Sequence, residues 1–585
     1  MALFTPSESP AVVVKEVDLT SGVPNVQSTT GAYVGNFRWG PAKKATLVSS
    51  EAQLAETFAN PSATTAVDFI SATQFLRYSN NLQVVREITS AAKNATANGS
   101  STVTAIHNDD HWDTMKASFG ADSGDTNVGA WIARWAGALG NSLKVSLCPV
   151  GSDSSGTFFS QWTYRTSFDG APGTSSYVSA RSGSNDEVHV AVIDEDGLFS
   201  GTVGTVLETF PFLSLASDAK TNDGSSNYVY DVINSRSEYI WLASFEGTGA
   251  TALEELTNAG TAAQSTTYAA SATAAIDMSL VGGVDSGTLT TSEVATGFDL
   301  FEDTDTITVD FLIAPSMAAR ADQTTVVNDL QGIAQTTRKD CIVVTSPARN
   351  DIVNSSTPNA NAVLTAATFN SSSYVFVDNN FLKVYDKFND QYIFIPAASS
   401  TAGIMAATDA NAAPWFSPAG QRRGSYLGIT ALSYSPTKAE RDTLYKAGVN
   451  PIANIPGQGV LLFGDKTFLN RPSAFDRINV RRLFLVLERA IGEAAKNVMF
   501  EFNDEFTRAE FTNIVEPVLR EVKGRRGITD FRVVCDATNN TAAVVDRNEF
   551  IANIFIKPAR SINYVTLNFV AVRSGVDFEE VVGTV

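Results

Sequence analysis

Three histidines, His107, His111 and His189, are the whole imidazole supply of this 585-residue chain. Ser-His-Asp or Cys-His catalysis needs one of them held beside a nucleophile, so acyl-transfer chemistry has few places to sit. His107-Asn-Asp-Asp-His111 sets two imidazoles four residues apart around Asp109 and Asp110, a spacing that on a helix turns both rings to one face and offers a metal site. The stretch nevertheless reads as loop and lacks the general-base Glu of an H-E-x-x-H frame, so solvated surface is the expectation. No G-x-G-x-x-G follows a strand pattern and no G-x-x-x-x-G-K-S/T occurs, which leaves no glycine-rich cradle for a nucleotide; Val281-Gly-Gly-Val284 is too short to count. Asp194-Glu-Asp196 reads as a solvated turn rather than a general acid and base. Arg422-Arg423 and Arg525-Arg526, each beside glycine, have the chemistry to hold phosphate or carboxylate, although ordinary ion pairs are the expectation. Cys148, Cys341 and Cys535 lie roughly 200 residues apart, giving neither a disulfide framework nor a C-x-x-C site. No catalytic residue, metal ligand or cofactor is assigned, and no enzyme activity is expected.

Composition alone does not name a function. Hydrophobic residues make up 44% and charged residues 18% of the chain, as in a folded globular protein. At ~150 residues per domain the length suggests about four domains, or two with large insertions. A formal net charge of −20 argues against broad coating of nucleic acid or of an anionic membrane. The first residues lack a secretory pattern and the apolar runs, such as Leu483 to Leu487, are too short to span a bilayer; synthesis in a cytoplasm without membrane insertion is expected.

The charge is unevenly placed. Ala95 to Asp310 holds 28 acids against 7 bases, a net of −21, while the remaining 369 residues hold 34 acids and 35 bases. That acidic block reads as a separate β-rich module, with strand runs such as Glu187 to Ile193 between Gly, Asn, Asp and Ser clusters. Its flanks alternate strand and helix patterns and read as one scaffold that the block interrupts. Strands are predicted at Gly31–Phe37, Leu82–Ile88, Phe311–Ala314 and Cys341–Thr345. Helices are predicted near Thr324–Thr337, over Val67–Tyr78, and from Ser50, which with Gln53 makes a capping box, to about Phe58.

From Asp476 to Met499 apolar residues follow helical spacing with Arg477, Arg481, Arg482, Arg489 and Lys496 between them, a long amphipathic helix with a basic side. Asn503 is predicted to cap a second helix that ends at Gly524, followed by strands at Phe531–Cys535, Ile551–Lys557 and Ser561–Arg573. Each terminus is a strand-like segment set off by flexible residues: Ala11–Asp18, with Val12, Val13, Val14 and Val17, and Val576–Val582, with Val576, Phe578, Val581 and Val582. A strand must pair, either within its own sheet or by addition to another copy.

Several ordered motifs give these elements a context. Ser9-Pro-Ala-Val-Val-Val-Lys-Glu-Val-Asp18, Gly31-Ala-Tyr-Val-Gly-Asn-Phe-Arg-Trp-Gly-Pro41, Ser373-Tyr-Val-Phe-Val-Asp378, Tyr385-Asp-Lys-Phe-Asn-Asp390, Pro414-Trp-Phe-Ser-Pro-Ala-Gly420, Arg477-Ile-Asn-Val-Arg-Arg-Leu-Phe484, Phe500-Glu-Phe-Asn-Asp-Glu-Phe-Thr-Arg508, and Asp546–Ile551 running into Ile556–Asn563 are similar to the tail sheath proteins of contractile-tailed, T-even-like bacteriophages. The acidic block carries none of these motifs.

The resemblance implies an α+β, multidomain fold: an α/β sheath core built from both N- and C-terminal parts, with a large β-rich acidic insertion. The expected division is an extended arm at 1–24, a middle α/β scaffold of 25–94 plus 311–470, an acidic outer insertion at 95–310, an inner C-terminal domain at 471–574 and a second arm at 575–585. It further implies a virion subunit that stacks as sixfold rings around an inner tail tube and contracts to drive the tube through the host envelope. Partners would be other copies, the inner tube protein, and the baseplate and tail terminator proteins, with no direct nucleic acid contact. The two arms would add strands to neighbouring copies, and Arg477, Arg481 and Arg482 are the candidates for touching the tube. A sheath from a phage-derived injection or secretion device is the near alternative; a β-rich carbohydrate-binding or hydrolytic virion protein is the distant one.

Overall fold

The computed structural model describes residues 29–98, 105–119, 128–150, 157–245, 253, 256–270 and 275–562. Both predicted arms lie outside these residues, as does most of the strand predicted at Ser561–Arg573. The chain divides into two compact units, one holding residues 27–414 and 418–481, the other holding 415–417 and the chain from Arg482 onward. Helices and strands are mixed in both, an α+β protein.

The larger unit is organised on a six-stranded sheet. Five strands are parallel: in chain order Gly31–Gly35, Leu82–Arg86, Phe311–Ile313, Ile342–Thr345 and Val375–Val377. Gly31–Gly35 lies between Leu82–Arg86 and Phe311–Ile313, so the five run in the order 2-1-3-4-5 of a doubly wound sheet, and Ala45–Val48 adds an antiparallel edge. Such strands are buried on both faces and accordingly read as continuous apolar runs, Val-Val or Ile-Val-Val, rather than alternating ones. On one face Ala32, Val34, Val85, Leu312, Val343 and Val375 meet Val294 and Phe298 of helix Thr291–Asp299 and Val326, Val327 and Leu330 of helix Arg320–Gly332. The other face carries helices Ala66–Leu76 and Ala398–Asn411. Gly31 makes room there, since a Cβ would stand 2.7 Å from the Phe75 ring.

The first strand therefore pairs with one that follows it by 280 positions in sequence, Gly31 opposite Phe311, and the acidic block fills the interval. The block has its own four-stranded antiparallel sheet, Ile276–Ser279, Leu143–Pro149, Glu187–Asp194 and Thr205–Ser214 in spatial order. Val145, Leu147, Val188, Val190 and Val192 form its core with Trp131 and Leu242. Arg86 joins block and scaffold. Its fully buried guanidinium donates to the carbonyls of Phe37 at 2.8 Å, Gly40 at 2.7 Å, Arg38 at 3.5 Å and, from the block, Ala136 at 2.5 Å. Burial lowers its pKa to about 10, against the opposing pull of Asp285.

The smaller unit is built from helix Glu505–Gly524 and the antiparallel pair Ile528–Val534 and Asn553–Pro558, entered by helix Ile478–Lys496, which begins in the larger unit. Thr507, Phe511, Val515, Leu519 and Val522 make the buried stripe of Glu505–Gly524.

Local predictions and structure differ in instructive places. Ser50 caps helix Glu51–Phe58 through the Gln53 amide, but the Gln53 side chain accepts from Ser49 rather than Ser50. Asp504, not Asn503, caps helix Glu505–Gly524; the Asn503 side-chain oxygen Oδ1 instead accepts the Arg508 Nε–H at 2.7 Å, and its Nδ2 donates to the Glu549 carbonyl at 2.7 Å. Gly524 stays helical, and the left-handed residue that ends the helix is Arg526, φ +67°.

Candidate assembly interface

The side chains with the strongest chemical potential are spent on holding the fold. Asn108 caps a helix, Asp109–Met115, so the His107 to His111 stretch is not loop throughout. The two rings stack at 4.3 Å, the His107 backbone N–H donates to His111 Nδ1, and Asp109 pairs with Arg134 at 2.8 Å. Burial, then Lys43, then His111 lower the His107 pKa to about 4, which keeps that ring neutral. His189 is fully buried against the rings of Phe168 and Phe212; its Nδ1 accepts the Phe212 N–H at 3.0 Å, so Nε2 is the donor to the Gly170 carbonyl at 2.8 Å. Among the described residues no group of three or more His, Cys, Asp or Glu is gathered as a metal site, and no helix is long and apolar enough to cross a membrane.

Asp194 corrects its expected place in a solvated turn. It is fully buried and accepts from Ser142 Oγ at 2.6 Å, Ser200 Oγ at 2.8 Å and the backbone amides of Leu198, Phe199 and Ser200. These bonds outweigh desolvation and lower its pKa. Two other carboxyls are buried without such compensation. Desolvation raises the Asp378 pKa to about 7 despite bonds from the Asn380 amide and Thr401, and raises that of Glu87 to about 7 against Lys43.

The three arginines drawn to the tube contact sit where the long helix leaves the larger unit. Arg477 pairs with Asp465 at 2.9 Å and donates to the Tyr445 hydroxyl. Arg481 donates to Ser373 Oγ at 2.7 Å and lies 4.3 Å from the Tyr374 ring and 4.1 Å from that of Phe475. Arg481 is 7% and Arg482 4% exposed. Arg481 and Arg482 thus offer no open basic side in the first turns of the helix; the Arg481 guanidinium lies over two aromatic rings, a geometry hidden from a spacing rule.

What faces outward is apolar and backbone. In the smaller unit Ile528–Val534 and Asn553–Pro558 pair only with each other among the described residues, Phe531 opposite Ile556 and Val533 opposite Ile554. These four are half-buried on the helix side, whereas Arg532, Phe555 and Lys557 point to solvent. Two strands alone bury too little to be stable without the helix beneath them, and among the described residues the outer edge of each pairs with no other strand. The turn between the two long helices exposes Met499, Phe500, Phe502 and Phe506, with Phe500 fully accessible and held at φ +71°. The sequence marks Phe500–Arg508 only as a motif; the exposure of Phe500 and Phe502 in the turn and of Phe506 in the first turn of helix Glu505–Gly524 is a feature of the structure.

A family model described as the phage tail sheath protein central domain matches residues 292–468, and one described as the phage tail sheath C-terminal domain matches 470–571. The tail sheath proteins of Vibrio phage KVP40 and Enterobacteria phage T4 are each 31% identical to this chain, over 98% of it and 99% of their own length. Two solved sheath tail proteins share the fold at 13% identity: that of Listeria innocua, TM-score 0.54 over 92% of this chain and 93% of its own, and that of Desulfitobacterium hafniense, TM-score 0.51 over 94% and 100%. The chain belongs to the phage tail sheath protein family, structural components of contractile virion tails.

Proposed function

We propose that this chain polymerises as stacked sixfold rings around an inner tail tube and contracts to drive the tube through the host envelope. The observation that carries this reading is the two-stranded sheet of the C-terminal unit, Ile528–Val534 with Asn553–Pro558, supported on one face and with no third strand among the described residues. The arms supply candidate strands: Val12, Val13, Val14 and Val17 in one, and Val576, Phe578, Val581 and Val582 in the other, are the β-branched and aromatic residue types that an added strand uses. In this scheme each arm completes a neighbour's sheet, flexible connectors let the rings turn without parting, and the work comes from relaxation of a metastable extended polymer. Copies assemble in the host cytoplasm and reside in the virion tail, ending at the baseplate and the tail terminator. Of the three arginines, tube contact is assigned to Arg477, whose side chain keeps 20% of its surface exposed. An injection device built on the same subunit uses the same interface.

The test is negative-stain electron microscopy of the full chain beside one lacking Gly575–Val585, each with and without inner tube protein. Hollow ringed tubes from the first and dispersed particles from the second are expected. Tubes from both would remove the C-terminal arm from the mechanism.

A further inference from the structure

Three residues in the middle of the chain, Trp415 to Ser417, belong to the C-terminal unit, although everything described from Gln27 to Pro414 and from Pro418 to Arg481 belongs to the other. Prolines stand on both sides of the excursion, Pro414 and Pro418, and their fixed φ limits how far the segment can wander. Trp415 is 8% exposed. Its Nε1–H donates to the Arg525 carbonyl at 3.1 Å, and the Arg525 guanidinium lies 5.1 Å from its ring. The ring also explains Gly527. A Cβ there would stand 3.0 Å from Trp415 Cδ2 and Cγ and 2.6 Å from Val522 Cγ1. Helix end, left-handed Arg526 and Gly527 together form a seat for an indole, and the helix, the strand that follows and the seat come from one short stretch, Val522 to Ile528.

The geometry points to Trp415 as a latch. The Pro-Trp-Phe-Ser-Pro peg comes from more than a hundred positions earlier in sequence, and within the C-terminal unit its indole holds the end of helix Glu505–Gly524 to the first residues of the strand that follows. Loss of the peg leaves a unit whose helix end and first strand are no longer held. This does not depend on ring formation or strand exchange, because every partner named lies within one chain.

The experiment is hydrogen exchange on the dispersed full-length chain, comparing wild type with Trp415→Ala, Trp415→Phe and Gly527→Ala. Amides from Val522 to Phe531 are expected to exchange about tenfold faster or more in Trp415→Ala, while those of Gly31–Gly35 and Phe311–Ile313 keep their protection. Gly527→Ala, which keeps the indole but fills its seat, is expected to give the same local pattern. Trp415→Phe, which keeps a ring and loses the Nε1–H bond, is expected to fall between. If Trp415→Ala unfolds the whole chain, the other two variants decide the matter. Unchanged exchange at Val522–Phe531 in Trp415→Ala, or in both Trp415→Phe and Gly527→Ala, would overturn the latch. Emission can be followed alongside, since Trp415 is the only tryptophan after Trp241.

Discussion

The acidic block and the C-terminal unit solve opposite problems with similar materials. Both rest on antiparallel strands. In the block, Leu143–Pro149 and Glu187–Asp194 each have neighbours on both sides and buried side chains along nearly their whole length. Its polar groups are turned inward and paired, Asp194 with five donors and His189 with two backbone partners. In the C-terminal unit, Asn553–Pro558 alternates between exposed and half-buried, and aromatic side chains stand in solvent at the turn before it. The central strands of the block are covered on both sides, whereas among the described residues each strand of the C-terminal unit is paired on one side only. The acidity lies with the first: the block carries nearly all of the chain's net negative charge, while the C-terminal stretch is neutral.

Arg86 gives the largest effect with which to probe this contrast. Arg86→Ala leaves four buried carbonyls without their donor at the seam between block and scaffold, and a loss of at least ~3 kcal/mol is expected in denaturant unfolding. A loss under ~1 kcal/mol would mean that the seam tolerates water and that the block is less closed than drawn. Asp194→Asn comes next. Asparagine carries one acceptor oxygen where five bonds converged, and ~2 kcal/mol is expected, confined to the block and visible as faster exchange at Leu198–Ser200.

The pH dependence is smaller. Glu87 and Asp378 have folded pKa values raised to about 7, so their contribution is fully present below the ordinary carboxyl range and is lost as pH rises towards and through 7. His107, lowered to about 4, acts oppositely: its contribution is present above its ordinary 6.5 and is lost as pH falls through 4. Glu87→Gln is therefore expected to raise the melting temperature at pH 8 more than at pH 5; an equal shift at both would sink the assignment. Smallest in stability is Phe502→Ser, within ~0.5 kcal/mol of wild type because the ring is exposed, yet tubes are expected to form more slowly or not at all. Normal tube formation would show that the exposed aromatic turn is not part of the finished interface.

The scaffold was legible in the sequence because its strands are short apolar runs and its first helix carries an ordinary Ser50 cap. Strands predicted at Gly31–Phe37 and Leu82–Ile88 were placed within two residues of their ends, and helix Glu51–Phe58 begins and ends where Ser50 and Phe58 indicated. The order of the sheet was not legible: parallel pairing leaves no local mark, and Gly31 opposite Phe311 is a contact no periodicity contains. Arg481 shows the same limit for sites. Spacing put it on a basic stripe, but whether an arginine meets solvent or lies between Tyr374 and Phe475 depends on residues a hundred positions away. Trp415 was visible only as part of a motif, since nothing in Pro-Trp-Phe-Ser-Pro says which unit the ring enters.

The pairing of Gly31–Gly35 with Phe311–Ile313 also sets a timetable for synthesis. At ~5–20 residues per second, the roughly 220 residues between Arg86 and Phe311 take on the order of 10–45 s to emerge from a ribosome. For that interval the strand has Leu82–Arg86 on one side and no partner from its own chain on the other. The four-stranded sheet of the block pairs only strands that emerge within that interval, so it can form before Phe311–Ile313 is available, while Gly31–Gly35 still has a bare edge able to pair wrongly.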